Sequence, residues 1–103
     1  MVRLLILYGH PTDPEAFIKY YNEVHIPIAK KMQGLQKWTI GKALGTPDNQ
    51  PSPYFYIADL VAESRAAIEA ILDSPEGKAA VADVPNFASG GVTFIYTDFE
   101  TVI

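Results

Sequence analysis

The chain has 103 residues, 49% hydrophobic and 19% charged, with a net charge of −4. That length gives one domain, 1–103, with one core, and the composition is globular rather than disordered. An acidic chain with eight scattered Lys and Arg has no basic footprint for nucleic acid. It has no cysteine, which excludes disulfides, thiolate metal sites and thiol catalysis, and two histidines far apart in sequence make a poor basis for a zinc site.

Met1–Val2–Arg3 runs straight into a strand pattern without a signal-peptide layout. No apolar run approaches the ~18 residues of a membrane span. A cytoplasmic protein is the expectation.

Val2–Tyr8 is a nearly continuous apolar run, too short for a typical helix and bounded by Gly9–His10–Pro11. It reads as the first strand, apolar on both faces. Asp13–Pro14 starts a helix, with Asp as the cap and Pro at the first helical position. Phe17, Tyr20, Tyr21, Val24 and Ile28 recur at three- and four-residue spacing and predict the buried stripe, with Lys19, Asn22 and Glu23 facing water. Pro27 lacks a backbone N–H and its ring clashes with the carbonyl of Glu23. It also disfavours helical geometry at Ile26. The helix is therefore expected to break or kink near His25, swinging the imidazole out of the regular row. A short second helical piece, Pro27 to Met32, then stops at Gly34.

Lys37–Leu44 alternates and predicts the second strand, with Trp38, Ile40 and Leu44 on one side. Gly45–Pro53, rich in proline, is a loop. Tyr54–Val61 is the third strand, again apolar on both faces. Ser64–Leu72 is a helix with Ala67, Ile68, Ile71 and Leu72 as its stripe. Ser74–Pro75–Glu76 restarts a helix, expected to run to Asp83 and end before Pro85. Asn86–Gly91 is a loop, Val92–Thr97 the fourth strand, and Asp98–Ile103 an extended tail. No repeat or linker interrupts the chain.

The order strand, helix, strand, strand, helix, strand predicts an α+β fold, a ferredoxin-like β-α-β-β-α-β layout with an antiparallel four-stranded sheet. Helices cover only one face of such a sheet, and an exposed second face is normally polar. Here it carries Leu5, Leu7, Phe55, Ile57 and Val61. An open apolar face is a liability in a monomer, so the patterning predicts a homodimer, sheet face against sheet face.

Leu4–Tyr8, Asp13–Pro14–Glu15–Ala16–Phe17, Tyr20–Tyr21 and His25–Ile26–Pro27 resemble the opening of EthD-domain proteins of the dimeric α+β barrel superfamily. Ser74–Pro75–Glu76–Gly77 and Ala82–Asp83–Val84–Pro85–Asn86–Phe87 are similar to the family's second-helix segment. The resemblance implies a dimeric α+β barrel with a cavity between sheet and helices in each subunit. Relatives in the superfamily include monooxygenases that act without metal on aromatic polyketides, lactone isomerases, polyketide cyclases and decarboxylases. The family name comes from a gene cluster for ether degradation. The resemblance thus narrows the fold far more than the reaction.

The matching histidine lines the cavity in some relatives, and this makes His25 the candidate catalytic residue, a general acid/base. Its bland alternative is a helix-terminal histidine satisfying a freed carbonyl. A helix C-terminus favours its cation and an apolar cavity disfavours it; the sequence leaves the winner open. The candidate ligand-contacting residues are Tyr8, Tyr21, Trp38, Tyr56, Phe87, Phe94 and Asp83, each of the aromatics equally at home in an ordinary core. Asp83 and Asn86 either end a helix and form a turn, or one of them orients His25. His10 is expected to be solvated, as are Lys30 and Lys31.

No motif for flavin, nicotinamide or phosphate is present, and no cofactor is expected. Three functions remain: a cofactor-independent enzyme acting on a small hydrophobic, oxygenated or aromatic metabolite; a ligand-binding or accessory subunit for a degradative oxygenase, needing the cavity but not the proton chemistry; and a purely structural dimeric module with a filled core.

Overall fold

The computed structural model describes residues 1–103. Strand β1 (Val2–Tyr8) leads through Gly9–Thr12 to helix α1 (Pro14–Tyr20). The Asp13 side chain accepts a hydrogen bond from the Ala16 N–H, satisfying one of the orphan donors of the first turn. A π-helical turn, Tyr21–His25, joins α1 to α2 (Ile26–Ala29). Strands β2 (Lys37–Lys42) and β3 (Tyr56–Ala62) follow, then helices α3 (Arg65–Asp73) and α4 (Pro75–Asp83), a 3-10 turn at Val84–Asn86, and strand β4 (Val92–Asp98). The strands lie in the order β2-β3-β1-β4, every pair antiparallel. This is the ferredoxin-like α+β fold.

The helix at Pro27 departs from expectation. Ile26 stays helical, at φ −56° and ψ −48°, and its N–H reaches back to the Tyr21 carbonyl. The break is replaced by one wider turn, which takes up the missing N–H and leaves room for the proline ring. That turn changes which residues face inward. Phe17, Tyr21, His25 and Ala29 are buried, while Val24 is 36% exposed and Ile28 is half-buried. Three four-residue steps overshoot three α-helical turns by about 120°, and one inserted residue takes back about 100°. His25 thus enters the row from which a regular helix would have turned it.

Other boundaries shift modestly. Strand β2 stops at Lys42, leaving Leu44 outside the ladder and 96% exposed. Pro85 does not end the second helical segment, because it occupies the first turn of a 3-10 extension, where its missing N–H removes no bond. Helices α3 and α4 meet at Ser74, which ends one and caps the other. Their approach requires Gly77: a Cβ there would sit 2.1 Å from the Ile71 carbonyl oxygen.

The register puts Leu4, Ile6, Tyr8, Trp38, Tyr56, Ala58, Leu60, Phe94 and Tyr96 under the helices, and Leu5, Leu7, Ile57, Val61 and Ile95 on the other face. Phe55, expected on that other face, precedes β3, escapes its alternation and packs under the helices, its ring centroid 5.2 Å from that of Phe17. The chain is a slab 35 × 35 × 17 Å, one sheet and one helical layer thick. No helix covers the second sheet face, and no helix is long and apolar enough to cross a membrane.

Candidate functional site

The two sequence elements singled out above meet in space. His25, only 6% exposed, places Nδ1 3.0 Å from Asp83 Oδ2 across 58 residues of chain. The other carboxylate oxygen of Asp83 accepts from the Tyr20 hydroxyl at 2.6 Å and from the Asn86 amide at 3.0 Å. Phe87 covers the imidazole, with ring centroids 4.7 Å apart, and Tyr21 packs on it at 5.0 Å. Each residue of Asp83–Phe87 but Pro85 thus touches the arrangement or the cavity beside it. Asp83 binds the imidazole, Asn86 steadies Asp83, Phe87 packs over the ring and Val84 lines the cavity. The 3-10 turn sets those side chains on one side.

Burial works against a charge on Asp83, but hydrogen bonds from Tyr20, Asn86 and His25 outweigh it, and the carboxyl ionises below its ordinary value. For His25 the balance falls the other way. Burial lowers its pKa below the ordinary 6.5, and the pull of Asp83 in the opposite direction does not restore it. The imidazole is therefore neutral at pH 7. With the Asp83 carboxylate accepting from Nδ1–H, the lone pair belongs to Nε2, which no protein group hydrogen-bonds.

A cavity of about 30 Å³ lies between sheet and helices, bordered by His25 and otherwise by hydrophobic residues. Of the candidate residues, Tyr8, Tyr21, His25, Trp38 and Phe94 line it. Tyr56, Phe87 and Asp83 do not. Tyr56 packs behind Tyr21, at 5.1 Å between rings, and Asp83 stands behind the imidazole on the side away from the cavity wall. Sequence reasoning missed Ala29, Met32, Leu72, Ala80 and Val81 as lining residues. The small size of Ala29 and Ala80 leaves the space, a signal that a search for aromatic residues overlooks. Tyr20 was legible only as part of a buried stripe; its hydroxyl partner is 63 residues away. His10 is exposed but not simply solvated, since its Nε2 bonds the Ser52 carbonyl at 2.7 Å. No three His, Cys, Asp or Glu side chains gather as metal ligands. The cavity that the resemblance implies is present but small: about 30 Å³ holds one or two waters, far less than the ~300 Å³ or more of a pocket for a drug-sized ligand.

Fold and site together define a ferredoxin-like α+β protein with a buried His–Asp pair beside a small apolar cavity. The model of the EthD domain matches residues 9–91, and the chain belongs to the EthD family. A Rhodococcus erythropolis protein, the uncharacterized 11.0 kDa protein in the thcB-thcC intergenic region, is 44% identical over 103 residues, covering 100% of this chain and 99% of that one. The crystal structure of an EthD family protein from Bacillus halodurans C-125 superposes with a TM-score of 0.88 at 26% identity, over 97% of this chain and 99% of the other. A dimeric ferredoxin-like protein of unknown function from Thermobifida fusca YX has the same fold, with a TM-score of 0.70 at 14% identity over 95% of this chain and 90% of that one.

Proposed function

We propose that this chain is a cofactor-independent acid–base catalyst for a small, mostly apolar, oxygenated compound, with His25 as the base. The observation that carries the reading is a buried imidazole bordering an apolar cavity, its Nδ1 held by Asp83. In this role Nε2 takes a proton from an activated carbon or phenol, and Asp83 stabilises the imidazolium that forms. Returning the proton elsewhere on the same molecule completes an isomerisation or cyclisation. Returning it to a carbanion left by departing carbon dioxide completes a decarboxylation. With dioxygen as co-substrate, the deprotonated compound is the starting point of a monooxygenation. The aromatic walls suit a flat ligand.

The expected result is that His25→Ala lowers turnover by ~10²-fold or more, read as loss of solvent-deuterium incorporation across a panel of enolisable ketones and phenols. An unchanged rate on a compound the wild type turns over rejects the role. A second reading, an accessory subunit that holds a hydrophobic metabolite, is favoured by the otherwise apolar lining. It predicts binding without proton exchange in the wild type as well.

The same reading places a second copy of the chain on the open sheet face, where Ile95 is 43% exposed beside Leu5, Leu7 and Ile57. Ile95→Asp is expected to shift the molar mass in light scattering from that of a dimer to that of a monomer. A wild type that is monomeric at micromolar concentration ends this part of the proposal.

A further inference from the structure

Three polar groups at the cavity take no part in the His25–Asp83 arrangement. Tyr8 is 1% exposed, yet its hydroxyl has no hydrogen-bond partner, and the buried indole N–H of Trp38 has none either. Both lie close enough to the hydroxyl of Tyr21 to interact with it, without making a hydrogen bond of ordinary geometry. All three side chains line the same cavity as His25. An indole N–H only donates, and a protonated phenol has one proton to donate. Burial holds the hydroxyls of Tyr8 and Tyr21 well above the ordinary phenol range, so both remain protonated. Buried donors left unpaired are rare in native proteins and call for a specific cause. The cavity is therefore flanked, behind its carbon lining, by buried donors and by one basic nitrogen, Nε2 of His25. That pattern complements a molecule that loses a proton to the acceptor and gains negative charge on an oxygen facing the donors.

We propose that Tyr8, Tyr21 and Trp38 form an oxyanion pocket, and that the substrate class is a compound whose deprotonation produces an enolate or phenolate oxygen held by these groups. The inference rests on His25 acting as the base. In the enolate case the C–H bond breaks, its proton goes to Nε2, and its electron pair forms the new C=C bond. The carbonyl π pair moves onto oxygen, which then accepts hydrogen bonds from Tyr8 O–H and Trp38 N–H. The phenol case is simpler, since the O–H pair stays on the oxygen that the donors face. The volume of about 30 Å³ has a competing occupant, a water bridging the three groups. A ring-sized ligand enters as Val81 and Phe94 at the wall, 45% and 46% exposed, move aside.

The experiment titrates the protein with 4-fluorophenol and with its methyl ether, 4-fluoroanisole, by fluorine NMR. One series lies above the solution pKa of the phenol, where it is added as the anion, and one lies below it. The wild type is expected to bind the anion more tightly than the ether. Tyr8→Phe, which keeps the ring and its packing, is expected to weaken anion binding about tenfold or more, the scale of a hydrogen bond to a charged group, while leaving ether affinity unchanged. Trp38→Phe is expected to act in the same direction. His25→Gln is expected to keep the preference for the added anion but to lose the ionised signal of bound phenol at the lower pH. A wild type that prefers the anion yet leaves bound phenol un-ionised supports the pocket while rejecting His25 as the base. A preference unchanged in Tyr8→Phe and Trp38→Phe overturns the pocket and leaves the donors to a structural water. Failure of both probes to bind saturably overturns it as well.

Discussion

The helix-covered side of the sheet has two unlike ends. At one, Leu4, Leu60, Ala62, Ile68 and Ile71 form an aliphatic cluster. At the other, Tyr8, Phe17, Tyr21, Phe55, Tyr56, Val84 and Phe87 form a largely aromatic one. Aliphatic side chains carry no polar atoms, so the first end closes without any hydrogen-bonding demand. The aromatic end must satisfy hydroxyls, and it is the end against which His25, Asp83 and their partners pack. The cavity lies between, touching Leu4 and Leu60 on one side and Tyr8 and Tyr21 on the other. The contrast teaches that cohesion and chemistry are assigned to different stretches of the same two strands, since β1 and β3 contribute to both ends.

The strongest way to break this division is Ile68→Ala. Ile68 is fully buried, and truncation should lower unfolding stability by ~2–5 kcal/mol through lost burial and a cavity. If the two ends are separate, the NMR titration of His25 in this variant matches the wild type. A shifted titration shows that the aliphatic end also sets the geometry of the other. A smaller effect is expected from Asp83→Asn, which removes the charge and one of the two acceptor oxygens that Tyr20, Asn86 and His25 use, and should cost about 1–3 kcal/mol for groups left poorly paired. Since Asp83 pulls the His25 pKa upward against burial, its loss should move the histidine titration further down. An upward movement contradicts the assigned balance.

The smallest effect sharpens the comparison through pH. The folded-state pKa of His25 lies below 6.5, so the unfolded chain binds the proton more readily than the folded one. Stability from this group is therefore fully present above pH 6.5 and is lost as pH falls through the lower folded value. The depressed Asp83 carboxyl adds a second loss further down, below its ordinary 3.8. Denaturant titrations of wild type and His25→Gln should diverge in slope only below pH 6.5, with the variant flatter. Parallel curves show that the imidazole is not the source.

Much of the fold was legible residue by residue. Alternation and apolar runs marked all four strands, and Asp13–Pro14 and Ser74–Pro75 marked helix starts, because those signals act over one or two turns. The row on the first helix was misread at Val24 and Ile28, since a regular period of 3.6 does not contain the wide turn that Pro27 imposes. Asp83 and Asn86 were both legible as candidates to orient His25, but not which of the two does so: Asp83 holds Nδ1 and Asn86 bonds Asp83. Neither Tyr20 as a donor to Asp83 nor Ala29 and Ala80 as the source of the space was legible.

The sequence by itself determined the order of elements, the faces of the sheet within the strands and the family, because each rests on short-range periodicity or on motifs a few residues long; Phe55, one residue outside β3, fell on the opposite side from its expected place. Only the tertiary structure decided that His25 faces inward, that Asp83 holds its Nδ1, and that the cavity beside it is small. Those facts depend on the packing of segments some sixty residues apart, and on a single wider helical turn whose rotation no local pattern encodes.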